Sequence, residues 1–173
     1  MKIKMIAGSL FASIVMLHAV NVGEVLPLLT LEDNNGGDSS SKAWHSQNLK
    51  GKVHVLLYMD PDKRKEAMPF LDTLNAKQYD KKKYSTVAIV NLAATWMPDA
   101  ILEAMLSKKQ KELNNTEFVF DKRKYILAKW NMKDDASNVV ILDKNMKVLY
   151  SKSGTLSPND IAKILAIVEK HIK

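Results

Sequence analysis

Residues Val53 to Leu74 read VHVLLYMDPDKRKEAMPFLDTL. From Val53 to Met59 the run is almost continuously apolar, which is the pattern of a strand covered on both faces by helices. His54 interrupts it and is read as a hydrogen-bonded packing residue. A tight loop follows, Met59-Asp60-Pro61-Asp62-Lys63-Arg64. Asp62 is placed to cap the next helix by accepting from first-turn N–H groups. Ala67, Phe70, Leu71 and Leu74 then recur at helical spacing. Pro69 falls inside that helix and is expected to kink it, because it removes a donor and crowds the preceding turn. In α/β proteins the loop leaving the carboxyl end of a central strand is where ligands and chemistry collect. This loop has no thiol, no histidine and no glycine cradle.

Working outward, Val22 to Glu32 reads as an extended leading segment, with Pro27 at a non-ladder position. Asp33 to Lys42, DNNGGDSSSK, is read as a flexible surface insertion. It fails as a calcium loop, because Asp38 stands where that loop needs glycine and Trp44 where it needs glutamate. Tyr84 to Asn91 is a second apolar strand. Pro98 opens a helix whose expected buried stripe is Ile101, Leu102, Met105 and Leu106. Glu117 to Phe120 is a third strand, and a short helix carries Tyr125, Ile126 and Trp130. Asn138 to Leu142 and Lys147 to Ser151 form a hairpin around Asp143-Lys144-Asn145. Ser157-Pro158-Asn159-Asp160 opens a last helix with a hydroxyl cap, a proline at its first position and an acid at its third. Strands alternating with helices and ending in a hairpin predict an α/β domain: a parallel core extended by antiparallel strands, with helices on both faces.

The chain has 173 residues and no cysteine, which excludes disulfides, thiol catalysis and cysteine-based zinc sites within it. Residues 1–19, MKIKMIAGSLFASIVMLHA, have a basic start at Lys2 and Lys4, an apolar run from Met5 to Leu17 and a small final residue, Ala19. This is the pattern of a secretory signal peptide. The expected organisation is a signal peptide at 1–19 and one domain at 20–173, placed in the periplasm. Membrane contact is then expected only through the signal peptide before cleavage. Net charge is +7. Without Lys2 and Lys4, 24 basic residues face 19 acidic ones, a modest excess that suits acidic surfaces and does not call for nucleic acid.

The segment from Pro61 to Asp72, PDKRKEAMPFLD, resembles the active-site helix of thioredoxins. In that family Cys-x-x-Cys is followed five residues on by a proline and then an apolar-Leu-Asp pattern. Pro69 and Leu71-Asp72 match, and Pro61 and Arg64 stand where the cysteines belong. Another registration puts Lys63 and Glu66 there, again without sulfur. The segments VGEVLPLLTLED and LKGKVHVLLY, and Asn138 to Asp143, are similar to secreted thioredoxin-like and peroxiredoxin-like proteins. The family's cis-proline position falls at about Ser137, and its usual hairpin glycine is Met146. More closely, Ile89 to Asn91 and the stretch KYILAKWNMKDDASNVVILDKNMKVLYSKSGTLSP resemble YtfJ-type periplasmic proteins, which are thioredoxin-like and of unsettled function. The resemblance spans about residues 22–172. It implies a thioredoxin-like three-layer sandwich, and no thiol–disulfide or peroxidase activity is expected from this chain.

The residues marked as a binding surface, by equivalence to the redox loop, are Asp60, Pro61, Asp62, Lys63, Arg64 and Ser137. Two uses of this loop compete. In the first it is a recognition surface for a protein or peptide of the envelope, in a chain with no cofactor, no metal site and no catalytic residue. In the second, Asp60, Asp62 and Lys63 serve hydrolysis or phosphoryl chemistry as a carboxylate pair and a cation. Helix capping and solvated charge account for the same residues more simply. Trp44, Trp96 and Trp130 are read as core or rim packing. The scattered methionines, without cysteine or paired histidine, do not form a copper site.

Overall fold

A computed structural model describes residues 20–113 and 115–173. The expected signal peptide lies outside the described residues. A small antiparallel pair comes first, β1 (Thr30–Leu31) with β3 (Trp44–His45). The main sheet has six strands: β2 (Gly36–Asp38), β4 (Val53–Met59), β5 (Tyr84–Asn91), β6 (Thr116–Asp121), β7 (Asn138–Leu142) and β8 (Val148–Ser153). Their order is β2-β6-β5-β4-β7-β8. Strands β4, β5 and β6 run parallel, and β2, β7 and β8 each lie antiparallel to a neighbour. The helices are α1 (Met68–Lys77), α2 (Asp99–Glu112), α3 (Tyr125–Lys129) and α4 (Pro158–His171).

Strand alternation divides the core. Val53, Val55 and Leu57 of β4 point to the face covered by α1 and α4, where Phe70, Leu74, Ile164 and Val168 are buried. Ala88 pairs in register with Leu57, so the α2 cluster of Ala88, Val90, Leu102 and Phe118 lies on that same face. The residues between, Leu56 and Tyr58, point to the other face. There α3 and the N-terminal segment contribute Ile126, Trp130, Leu26 and Trp44. The two indoles meet edge to face at 6.4 Å, the geometry that aromatic quadrupoles favour. This is the α/β layered arrangement with a mixed sheet and helices on both faces.

Several local expectations change. Asp60, not Asp62, is the cap: its carboxylate accepts from the Asp62 N–H at 2.9 Å and opens a 3-10 turn over Pro61–Glu66. Pro69 sits at the second residue of α1 rather than inside a longer helix. Its missing N–H is therefore one that has no helical partner anyway, so it starts the helix instead of kinking it. The DNNGGDSSSK stretch is no flexible insertion, because Gly36–Asp38 forms the edge strand on β6. A Cβ on Gly36 would stand 1.8 Å from the Phe120 carbonyl oxygen, and one on Gly37 2.4 Å from the Lys42 carbonyl oxygen. Only glycine permits this close approach. Of the stripe expected on α2, Leu102 alone is buried, while Ile101 and Met105 are more than half exposed. Trp96 is 87 % exposed rather than packed in the core. His54 is buried, but neither ring nitrogen has a partner among the described residues.

Other expectations hold at the residue. Strand β5 runs from Tyr84 to Asn91. Ser157 and Asp160 form a reciprocal capping box on α4. The hairpin turns at Asp143–Met146, where Met146 takes a left-handed φ of 65° while its side chain is fully buried.

Candidate functional site

The carboxyl ends of β4 and β5 deliver two loops to one edge of the sheet, and the residues before β7 bring a third. Asp60 follows β4 and is 5 % exposed, its carboxylate tied up by the turn it caps. That leaves Asp62, Arg64 and Lys65 outside. The Thr95 hydroxyl, on the loop after β5, donates to Asp62 Oδ1 at 3.4 Å. Trp96 is its exposed chain neighbour. Lys63 Nζ lies 3.4 Å from Asp135, a pair open to solvent and worth at most about 1 kcal/mol.

Ser137 does sit against this loop. Its N–H donates to Glu66 Oε2 at 2.9 Å and its hydroxyl to the Lys63 carbonyl at 3.3 Å. At 1 % exposure its polar groups are spent inside the protein, so Ser137 anchors the loop and presents nothing to a partner. Among the described residues all peptide bonds are trans. A proline at 137 would carry no N–H, so the bond to Glu66 replaces that landmark with a direct tether. Sequence reasoning passed over Glu66, Thr95 and Asp135. Only Glu66 left a trace there, as one of the two alternative cysteine positions.

Behind the loop lies a polar cluster that the sequence did not announce. Asp121 is fully buried at the end of β6. It accepts from the backbone N–H groups of Arg123, Tyr125 and Ile126 and from the Tyr58 hydroxyl at 3.1 Å. Burial, and then the Asp121 carboxylate, push the Tyr58 phenol far above its ordinary value. Tyr58 therefore stays a neutral donor, and the cluster caps α3. Asn91, 1 % exposed, pairs in register with Asp121, and its side-chain amide has no partner among the described residues.

As chemistry, the turn has a capping carboxylate in Asp60, an exposed one in Asp62, one tethered to Ser137 in Glu66, and three cations. Asp60 and Asp62 do not converge as a pair, since one faces inward to its own turn and the other outward to Thr95. Among the described residues no three His, Asp or Glu side chains come together as metal ligands. None of those helices is long and apolar enough to cross a membrane.

A mixed sheet with these helices, and a strand-to-helix loop at the carboxyl edge of its central strand, defines a thioredoxin-like domain. The thioredoxin domain of a thiol-disulfide oxidoreductase from Bacteroides vulgatus is similar in fold, with a TM-score of 0.60 at 17 % identity over 90 % of this chain and 100 % of that one. The chain belongs to the family described as "Bacterial protein of unknown function (YtfJ_HI0045)", whose model matches residues 16–171. It is 26 % identical to the uncharacterized protein YtfJ of Escherichia coli over 170 residues, covering 90 % of this chain and 89 % of that one. An uncharacterized protein of Haemophilus influenzae is 24 % identical over 172 residues, covering 95 % and 94 %.

Proposed function

We propose that this chain is an exported, non-catalytic binding protein of the bacterial envelope, whose Asp60–Glu66 turn is the recognition surface for a protein or peptide partner. One observation carries the reading. The turn occupies the carboxyl edge of the central strand, yet it holds no thiol, hydroxyl or imidazole, and its buried Asp60 is used to fix its shape. What it offers outward is Asp62, Arg64, Lys65 and the neighbouring Trp96. Tryptophan and arginine are the residue types in which interface hot spots are rich. The basic, apolar pattern of residues 1–19 supports export.

The test places a photo-crosslinking residue at position 64 in cells, and another at Lys144 in the hairpin turn as a control. The reading expects one discrete adduct from position 64 and none from 144, lost when Trp96 becomes Ala. It expects the exported chain to begin near Val20 by mass spectrometry. Turnover of a phosphoester or carboxyl ester that disappears in Asp60→Ala/Asp62→Ala, with circular dichroism unchanged, would overturn it in favour of hydrolysis.

A further inference from the structure

The amino-terminal edge of the parallel strands, opposite the Asp60–Glu66 turn, gathers lysines. Lys52 directly precedes β4 and Lys83 directly precedes β5. Lys144 sits in the turn between β7 and β8. Lys170 lies in the last turn of α4, and Lys173 follows it. With Lys82 they line a concavity of about 370 Å³, within the roughly 300–1,000 Å³ of small-molecule sites.

The backbone that carries these side chains is fixed. The Gly51 N–H donates to the Lys144 carbonyl at 2.8 Å, and the Val53 N–H donates to the Lys83 carbonyl at 2.9 Å. Three of the four segments are thereby tied to one another. Gly51 makes its bond from a left-handed φ of 97°, which glycine adopts without steric cost. The end of α4 is pinned by Ile172, packed against the apolar cluster that includes Val53.

The charges, by contrast, are uncommitted. Five of the six lysines are exposed and Lys52 is half-buried. None of them makes an ion pair among the described residues. Asp143 also lines the concavity, but its Oδ1 is spent on its own turn, accepting from the Asn145 and Lys147 N–H groups at 2.8 and 2.9 Å. With the terminal carboxylate of Lys173 counted, six lysines face two negative charges. Nearby, Asp80 accepts from the Lys82 N–H at 2.9 Å and Glu169 is paired with Lys77 at 2.8 Å. The helix dipole accounts for Lys170 at the end of α4. It does not account for Lys52, Lys82, Lys83 or Lys144, which lie at no α-helix end. A concavity lined by one sign of charge focuses its field and concentrates counter-ions.

We infer that this basin binds a compact polyvalent phosphate anion, its charge shared among lysines from separate segments. The lining selects the class. Ammonium groups are point charges that serve phosphate oxygens from many directions, and the guanidinium fork that matches a planar carboxylate is absent here. No Phe, Tyr or Trp lines the basin, so it offers no platform on which nucleic-acid bases would stack. The phosphate belongs either to a free solute or to a lipid headgroup. The basin lies across the sheet from the turn proposed to meet a partner and does not rest on that reading.

The test is isothermal titration calorimetry of the purified protein with tripolyphosphate, and with citrate as the polyvalent carboxylate. It is run in about 0.1 M salt, where charges beyond roughly 10 Å are screened. Co-sedimentation with phosphatidylcholine vesicles containing cardiolipin, whose headgroup carries two phosphates, forms the second arm. Citrate is expected to bind at least about fivefold more weakly than tripolyphosphate, the scale of one lost charge contact. Lys83→Gln/Lys144→Gln/Lys170→Gln removes one exposed charge from each of three segments. It is expected to weaken tripolyphosphate about tenfold or more, with circular dichroism unchanged. Lys63→Gln/Arg64→Gln/Lys65→Gln removes the same charge from the opposite edge and is expected to leave binding within about twofold. Absence of tripolyphosphate binding, citrate bound equally well, or equal losses in the two triple variants overturns the inference. Vesicle binding that tripolyphosphate displaces supports it and assigns the phosphate to a lipid. Tripolyphosphate binding without vesicle binding supports it and assigns the phosphate to a solute. Neither source is a protein, so crosslinking at position 64, with its control at 144, tests the partner reading separately.

Discussion

His54→Leu should remove a pH dependence that the wild-type fold carries. His54 lies in β4, the strand that delivers the candidate site, and is 5 % exposed. Burial, and then the nearby Lys52 charge, lower its pKa from 6.5 to about 4. The folded chain thus binds this proton less readily than the unfolded chain does. Stability from the neutral ring is fully present above pH 6.5 and is lost as pH falls through 4. Integrated between pH 8 and pH 5 the loss is about 2 kcal/mol, and it approaches roughly 3 kcal/mol below pH 4 at 1.36 kcal/mol per pH unit. A leucine of similar size removes the titration. It also removes two buried ring nitrogens without partners among the described residues, a feature that costs about 1–3 kcal/mol when left unsatisfied. The assay is urea unfolding of both proteins at pH 8 and pH 5. The comparison is the difference between their two losses, because the carboxylates titrate alike in both. Equal losses in wild type and His54→Leu would show that the histidine is not held neutral and would refute the reasoning.

Two further substitutions probe the parts that shape the site. Asp121→Ala strips three backbone N–H groups and the Tyr58 hydroxyl of their acceptor; the expected loss is about 3–5 kcal/mol by urea unfolding, and a loss below about 1 kcal/mol would mean that the cluster does not hold α3. Met146→Gly relieves a left-handed residue, a gain of about 1–2 kcal/mol, but deletes a fully buried side chain, a loss of about 2–5 kcal/mol. The variant is expected to melt at lower temperature in calorimetry, and a higher melting temperature would show that backbone strain outweighs packing there.

Strand β5 and the capping box of α4 were legible in sequence because their causes are local. A continuous apolar run, or a serine three residues before an aspartate, means much the same in any context. The misreadings share the opposite property. Pro69 reads as a kink or as a helix start depending on where the preceding turn ends, and that is set by Asp60 and by the tether from Ser137 to Glu66, 71 residues apart in the chain. DNNGGDSSSK reads as a loop until β6 lies beside it, and its two glycines acquire a purpose only from Phe120 and Lys42. On α2 the periodicity of Ile101, Leu102, Met105 and Leu106 was real, but a stripe is buried only if something meets it.

The sequence by itself determined the class of the domain and the absence of thiol chemistry, since apolar periodicity and residue type survive any arrangement of the chain. The tertiary structure decided which carboxylate is spent on a cap and which faces solvent. It also decided that Ser137 is an anchor, and that Ile101 and Met105 of α2 face outward. Those outcomes depend on distances between segments far apart in the chain, and periodicity read along one segment carries no information about them.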